Sequence, residues 1–224
     1  MGKVIIKIFV VTLIFAFFYN SASATTKNNW KKIKEKKGIV VSSCPVKGSK
    51  FKMYKAEKII EQQMEVLFEV MLDVKGYSEW MPDVEKATLI KMLDPERING
   101  KLVVHVMFDA QWPVKNREVV VKAISDIDWN EGRSVITLNE TLDYNIPLSK
   151  GRLRVEKFYA VFDFQYIDRK HTSVTYTTHA EPGGLVPAGI AKIQTATIPY
   201  KTLRNLEKVA KNPIYFKQAM RDYY

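Results

Sequence analysis

The residue of this 224-residue chain with the strongest chemical character is Arg117, which shortly precedes an apolar run that begins at Val119. That run predicts a buried strand, and a buried guanidinium almost always has a partner because an unpaired interior charge is costly. Two interpretations are open. Arg117 either hydrogen-bonds a ligand head group or a buried carboxylate beside a cavity, or it pairs with a nearby acidic residue that fixes the strand.

Catalytic patterns are weak in the rest of the sequence. His105 and His179 each lie alone on a predicted strand, which is more typical of a structural donor than of a ligand. Cys44 has no histidine nearby in sequence to activate it, and there is no Gly-x-Ser-x-Gly nucleophile motif. No His/Asp/Cys cluster has the spacing of a metal site. We therefore predict no catalytic residue, no metal and no cofactor.

Two periodicities organise the chain that must position Arg117. Helical spacing of apolar residues predicts a helix over 60–73, and alternation predicts strands separated by turn-forming residues. Asn99-Gly100 predicts a tight two-residue hairpin turn, since both residues tolerate positive φ. The predicted strands begin at Ile39 and continue as 51–59, 87–92, 101–108, 119–127, 134–141, 152–167 (with a break at Glu156 left open) and 172–180. So many consecutive strands predict an antiparallel sheet rather than βαβ units.

A long helix is predicted over 187–209, after a bend at Gly183 and Gly184. Pro187 suits a first helical turn, whereas Pro199 should kink the helix. Small residues in its first half either leave room for a ligand or pack closely on the sheet. We predict an α+β fold in which a curved antiparallel β-sheet wraps around this C-terminal α-helix and encloses an internal hydrophobic cavity. Residues 183, 184, 187 and 199 would form its gate or lid.

Alternate residues of the predicted strands supply the cavity wall. One face of the aromatic strand carries Phe162 and Phe164, and a comparable apolar row carries Val104, Val106 and Phe108. Such rows are more often plain core than pocket wall, but in this architecture the concave core face is the pocket wall. The hydroxyl of Tyr176 is a candidate polar contact. The remaining cavity candidates are Trp80, Ile190, Ile193 and Thr197.

The ends of the chain differ from its body in composition. Lys3 and Lys7, an apolar run and Ala22-Ser23-Ala24 predict a secretory signal peptide over 1–24, with an uncleaved membrane anchor as the alternative. Its removal takes two of the 35 basic and none of the 24 acidic residues, so the net charge falls from +11 to +9. The single cysteine, which excludes an internal disulfide, favours the periplasm of a Gram-negative bacterium. The body would be 25–211 and the C-terminal tail 212–224.

Much of the positive charge lies in residues 27–37, where we predict a short basic helix from about Asn29 to Lys37. A solvated helix is one interpretation, and contact with an anionic membrane surface through Trp30 and Ile33 is the other. A secreted protein seldom meets nucleic acid, so no nucleic-acid partner is predicted.

Several segments in order resemble the START (StAR-related lipid transfer) domain family, from about Trp30 to Ala210. Residues 77–82 hold Trp80 near a proline, and Pro113 to Arg117-Glu118 is similar to the family's Pro…Arg-Asp segment. The run Glu181-Pro182-Gly183-Gly184 to Pro187 resembles its Asp-Pro-Gly-Gly-x-x-Pro turn into a lid helix. Glutamate replaces the usual aspartate at both 118 and 181.

The resemblance implies the helix-grip (Bet v 1-like) fold and a non-enzymatic pocket for a sterol, phospholipid, sphingolipid or other hydrophobic ligand. We therefore predict an exported, monomeric carrier of a lipid or sterol-like molecule. One rival is a helix-grip cyclase or aromatase-like enzyme that uses the same cavity, and another is a lipid-responsive sensor or scaffold.

Overall fold

The computed structural model describes residues 29–94, 99–110, 114–155, 157–184 and 188–223, and in the helix that follows residue 187 it describes side chains from residue 197. The strands are β1 Lys31–Lys36, β2 Ile39–Cys44, β3 Met53–Ile60, β4 Val84–Asp94, β5 Lys101–Phe108, β6 Asn116–Asp128, β7 Arg133–Glu140, β8 Arg152–Arg154, β9 Lys157–Asp168 and β10 His171–Glu181. The helices are α1 Met64–Leu72, α2 Tyr77–Trp80, α3 Ala188–Val209 and α4 Pro213–Tyr223.

The ten described strands form one sheet, in which nine follow the order β1-β2-β3-β10-β9-β7-β6-β5-β4 and β8 pairs with β6. Neighbouring strands are antiparallel, except that the short β8 lies parallel to β6. Strands β3 and β10 pair along Tyr54–Ile60 and thereby join the N-terminal hairpins to the C-terminal strands. The predicted α+β class, with a curved antiparallel sheet and a long C-terminal helix, is confirmed.

The predicted first helix is wrong, because residues 31–36 form the edge strand β1. Apart from Ile33 the strand is a run of Lys and Glu, which offers no apolar stripe to hold a helix on the core. Lys37 and Gly38 have φ of 52° and 72°, the conformation of a two-residue hairpin turn, and they connect Lys36 to its partner Ile39. Pairing with β2 therefore decides the local structure.

The predicted two-residue turn at Asn99-Gly100 is also wrong. Asp94 pairs with Lys101, so Asn99 and Gly100 belong to a connection longer than two residues between β4 and β5. Asn99 does adopt a positive φ of 60°, but its Oδ1 accepts a hydrogen bond of 2.6 Å from the Ile127 amide on β6. A contact with a third strand, rather than the turn alone, fixes Asn99.

Most other elements lie where alternation and helical spacing predict them. β5 has the predicted bounds, and α3 ends at the predicted Val209. The long strand that was left open at residue 156 is two strands, β8 and β9, which pair with different neighbours.

The C-terminal half of α3 lies on the sheet through Tyr200, Leu203 and Leu206, which are buried and share one face. Pro199 is buried inside the same helix. Strands β2 and β3 contact α3 and hold it on the sheet. None of the described helices is long and apolar enough to cross a bilayer.

Within the tail predicted over 212–224, residues Pro213–Tyr223 form α4, which packs on α1. Tyr215 and Ala219 are buried, and the Tyr215 hydroxyl donates a 3.0 Å hydrogen bond to Asp73 Oδ2. Burial and this carboxylate both raise the pKa of Tyr215, so the phenol stays protonated. At the far end of α4, Tyr223 meets Trp129 edge-on at 5.6 Å.

Candidate functional site

An apolar cavity of about 240 Å³ lies on the inner face of the sheet and reaches Ile198 and Thr202 of α3. Because side chains alternate along a strand, every second residue faces this side of the sheet, and part of that inner face forms the cavity wall. Val119 and Val121 of β6 and Ala160 and Phe162 of β9 are examples of its wall.

The deep end of the cavity is aromatic. Phe162 and Tyr176 are cross-strand partners on β9 and β10, and their rings stack with centroids 4.4 Å apart. Burial raises the pKa of Tyr176 to about 12, although its hydrogen bond with Thr178 works in the opposite direction. Thr178 in turn donates to the Tyr159 carbonyl at 3.2 Å. Tyr176 is therefore a neutral phenol in an apolar wall.

The opposite end of the cavity is the mouth. Phe108 and Arg117, cross-strand partners on β5 and β6, line it together with exposed Lys52, Asp83 and Asp109. Charged side chains therefore gather where the cavity meets solvent, and apolar ones fill its depth.

Arg117 is buried, with 6% of its surface exposed, and it lines the cavity at this end. Its Nε and Nη2 donate to the carbonyls of Pro182 and Gly183 at 3.3 Å each, and Nη1 donates to the Lys115 carbonyl. Burial lowers the pKa of the guanidinium from its ordinary value. Of the two interpretations, pairing with an acidic residue is wrong within the described chain, where every partner of this guanidinium is a backbone carbonyl.

Glu118, the next residue, points to the other face of the sheet, where it is fully buried. Its Oε1 accepts a 2.7 Å bond from Arg154 Nη2, and its Oε2 lies 3.3 Å from His105 Nε2 and accepts from the Ser149 amide. Burial works to raise the pKa of Glu118, but Ser149, Arg154 and His105 together outweigh it and hold the pKa below its ordinary value. This cluster fixes the segment before β8 and lies outside the cavity.

The segment that leads into α3 meets the mouth. Gly183 and Gly184 are exposed and have φ of 65° and 61°, a region that favours glycine. A Cβ on Gly184 would lie 2.8 Å from Leu153 Cδ1. The third predicted gate residue, Pro187, lies outside the described residues. The assignment of this segment as a gate stays a prediction.

The structure brings five predicted cavity residues to the cavity: Val106, Phe108, Arg117, Phe162 and Tyr176. Three others, Trp80, Val104 and Phe164, lie behind it in the core.

Trp80 packs edge-on against Phe162 at 6.3 Å and so supports the wall from behind. Thr197 is half-buried and does not line the cavity, and the side chains of Ile190 and Ile193 lie outside the described residues. Contact of any of these residues with a ligand stays a prediction.

Several lining residues were missed. Val119 and Val121 share the face of Arg117 at a spacing of two, so alternation from Arg117 would have found them. Leu138 reaches the cavity because it pairs with Ala160 across β7 and β9, a register that the sequence does not show. Met81 follows α2, and no periodic signal marks it.

The two lone histidines and the cysteine do not line the cavity. His105 belongs to the Glu118 cluster, and Nδ1 of His179 lies 3.3 Å from the Lys52 carbonyl. Burial raises the pKa of the Cys44 thiol, which disfavours the reactive thiolate. Within the described residues no group of three His, Cys, Asp or Glu side chains could hold a metal ion.

A curved antiparallel sheet that holds a C-terminal helix over an apolar cavity defines a helix-grip protein. Among solved structures, the chain is similar to a STAR-related lipid transfer protein fragment (25–204) from Xanthomonas axonopodis, with 27% identity and a TM-score of 0.72 over 82% of this chain and 99% of that one. Human STARD10 shares the fold at 17% identity, with a TM-score of 0.73 over 87% of this chain and 78% of that one.

An uncharacterised Pseudomonas aeruginosa protein is 28% identical over 201 residues, which are 90% of this chain and 96% of that protein. The START domain model matches residues 19–206. The chain therefore belongs to the START domain family. Family membership and the apolar cavity together support a hydrophobic small molecule as the ligand.

Proposed function

We propose that this protein carries one hydrophobic ligand of the lipid class in its cavity and catalyses no reaction. The observation that carries the proposal is the cavity itself, which is apolar in its depth and charged only at its mouth. Such a wall supplies affinity at about 25 cal/mol per Å² of apolar surface buried. The name of the Xanthomonas relative, a lipid transfer protein, supports the same assignment.

An enzyme in the same cavity would need two or more ionisable groups that converge on one point deep inside it. The charged residues Lys52, Asp83 and Asp109 are exposed at the mouth, and deep in the described wall stands the neutral phenol of Tyr176. This distribution favours carriage over catalysis.

The proposal includes export. Residues 1–24 would be a cleaved signal peptide, and the mature monomer would act in the periplasm of a Gram-negative bacterium. Contact with anionic membranes is supported by a basic surface on the first two hairpins and the loop that enters β3. Its exposed lysines are Lys31, Lys32, Lys36, Lys37, Lys47, Lys50 and Lys52. Lys52 also lines the mouth, so docking on this surface would bring the opening close to the bilayer.

The first test is native mass spectrometry of the mature protein purified from its own periplasm, followed by extraction and lipid analysis. We expect one stoichiometric lipid class and an N-terminus at residue 25. An empty protein that also takes up no lipid from vesicles would contradict the carrier function.

A matched pair of variants assigns the binding to this cavity. Ala160 lines the cavity from β9, whereas its neighbour Val161 points to the opposite face of the sheet. Ala160→Phe places a ring in the ligand's space, so we expect at least a tenfold loss of lipid binding, about 1.4 kcal/mol. Val161→Phe should bind normally. Equal binding by the two variants, with both folded by circular dichroism, would place the ligand elsewhere.

A further inference from the structure

Four of the seven arginines that the structure describes form ion pairs with described carboxylates. Four ion pairs of the described residues are Arg133 with Asp163, Arg152 with Glu85, Arg154 with Glu118, and Arg221 with Asp222. Arg117 is the most buried of these five arginines, yet its partners in the described chain are the carbonyls of Lys115, Pro182 and Gly183. A buried cation that lacks a counter-ion is costly, and the cost falls when an anion is supplied.

The guanidinium has capacity left for such an anion. It carries five N–H groups in a planar fork, and three of them make the bonds to the carbonyls. Both bonds to the Pro182–Gly183 segment are long, at 3.3 Å. Carboxylate and phosphate oxygens match the geometry of this fork better than a neutral hydroxyl does.

The location of Arg117 fits a head group rather than a chain. It lies at the mouth, while Phe162 and Tyr176 line the deep end. Arg117 bonds to the carbonyl of Pro182, directly after β10, and Tyr176 lies six positions before Pro182 on this strand. At about 3.4 Å per residue the two ends are thus about 20 Å apart along the strand. A long molecule with one charged end would match both the guanidinium at the mouth and the apolar deep end.

We propose that the ligand is an anionic amphiphile whose carboxylate or phosphate binds Arg117 at the mouth and whose apolar chain extends toward Phe162 and Tyr176. The proposal rests on the carrier function proposed above and adds the charge of the ligand. The Pro182–Gly183 segment, bonded to the same guanidinium, would then lie directly beside the bound head group.

The test compares head groups on one chain length. Hexadecanoate, hexadecyl phosphate and hexadecanol each displace the neutral fluorescent probe N-phenyl-1-naphthylamine from the mature protein. We expect both anions to bind about tenfold more tightly than the alcohol, or better, because a charge-assisted bond replaces a neutral one. Inorganic phosphate at millimolar concentration should leave the probe bound, since it has no chain to bury. Displacement by inorganic phosphate would overturn the amphiphile assignment.

Variants assign this preference to Arg117. Arg117→Gln should weaken both anions about tenfold and leave hexadecanol within about twofold, whereas Arg117→Lys should keep much of the preference. Lys101→Gln, an exposed residue at the far end of β5, makes the same change in net charge and should bind as the wild type does. An unchanged preference in Arg117→Gln overturns the proposal.

The same assay separates the two proposals. A wild-type protein that binds probe and hexadecanol as tightly as hexadecanoate refutes the anionic head group and leaves the carrier function intact. A protein that binds neither probe nor any chain refutes the carrier function. If Arg117→Gln fails to fold, the affinities of the wild type for the two anions and for hexadecanol, together with those of Arg117→Lys, still test the anionic head group.

Discussion

The replacement Arg154→Met should destabilise the protein strongly, because it leaves the buried carboxylate of Glu118 without its charged partner. Glu118 is fully buried and receives its 2.7 Å ion pair from Arg154, whose side chain is 18% exposed. Removing one partner of a buried pair costs about 3–5 kcal/mol, and we expect about 3 kcal/mol because Ser149 and His105 still face the carboxylate. For a domain of this size that lowers Tm by about 6–12 °C.

Replacement of the acidic partner is expected to lower the free energy of unfolding by less. Glu118→Gln leaves a neutral amide inside, while the partly exposed guanidinium of Arg154 keeps some hydration and its 2.8 Å bond to the Ile146 carbonyl. The loss should be about 1–2 kcal/mol. In a double-mutant cycle the combined variant should cost less than the sum of the single changes, since the two groups share one interaction.

Urea denaturation followed by circular dichroism measures the loss in the free energy of unfolding for both variants. The dependence of this loss on pH tests whether the charge of Glu118 causes it. The folded-state pKa of Glu118 is below its ordinary value of 4.5, so its contribution is fully present above that value. It is lost as the pH falls through the folded pKa, so the gap between wild type and Arg154→Met should narrow in acid. A loss under 1 kcal/mol, or one smaller than that of Glu118→Gln, would refute the reasoning.

Two further changes test the C-terminal helix and the segment before α3. Tyr215→Phe removes the hydrogen bond to Asp73 and should lower the free energy of unfolding in urea by about 1–2 kcal/mol; an unchanged value would mean that apolar packing alone holds α4. Gly184→Ala combines a positive φ of 61° with a 2.8 Å approach to Leu153, whereas Gly48→Ala has a φ of 79° and open space. We expect the positive φ to lower the free energy of unfolding of each variant by about 1 kcal/mol, and the contact with Leu153 to lower that of Gly184→Ala further. Equal losses of free energy would show that Leu153 moves aside.

Periodicity predicted most elements because the apolar face of each strand or helix must meet the core whatever its neighbours are. β5, β10 and α3 are long and regular, so their patterns were unambiguous. β1 was misassigned because a run of lysines carries no periodic signal, and its conformation depends on hydrogen bonds to β2. The turn at Asn99 failed for a similar reason, since its side chain is held by β6.

The candidate site was predicted in part, because periodicity identifies the face of a strand that meets the core. Alternation identified Phe162 as a wall residue, but it also selected Phe164, which lies behind the wall because strand twist turns successive inner positions away from one cavity. Leu138 was missed because its place depends on the β7–β9 register. The spacing of apolar residues defines a face, whereas the limits of a cavity depend on where the covering helix lies.

The sequence by itself determined most of the strands and helices after the first hairpin, the apolar inner face and the presence of an arginine shortly before Val119, because these follow from local composition and period. Only the tertiary structure decided what surrounds that arginine. On one face of the sheet, β8 places Arg154 against Glu118 of β6. On the other face, the segment that follows β10 offers Arg117 backbone carbonyls. Whether a buried charge is neutralised depends on the distances between side chains, which only the folded chain fixes.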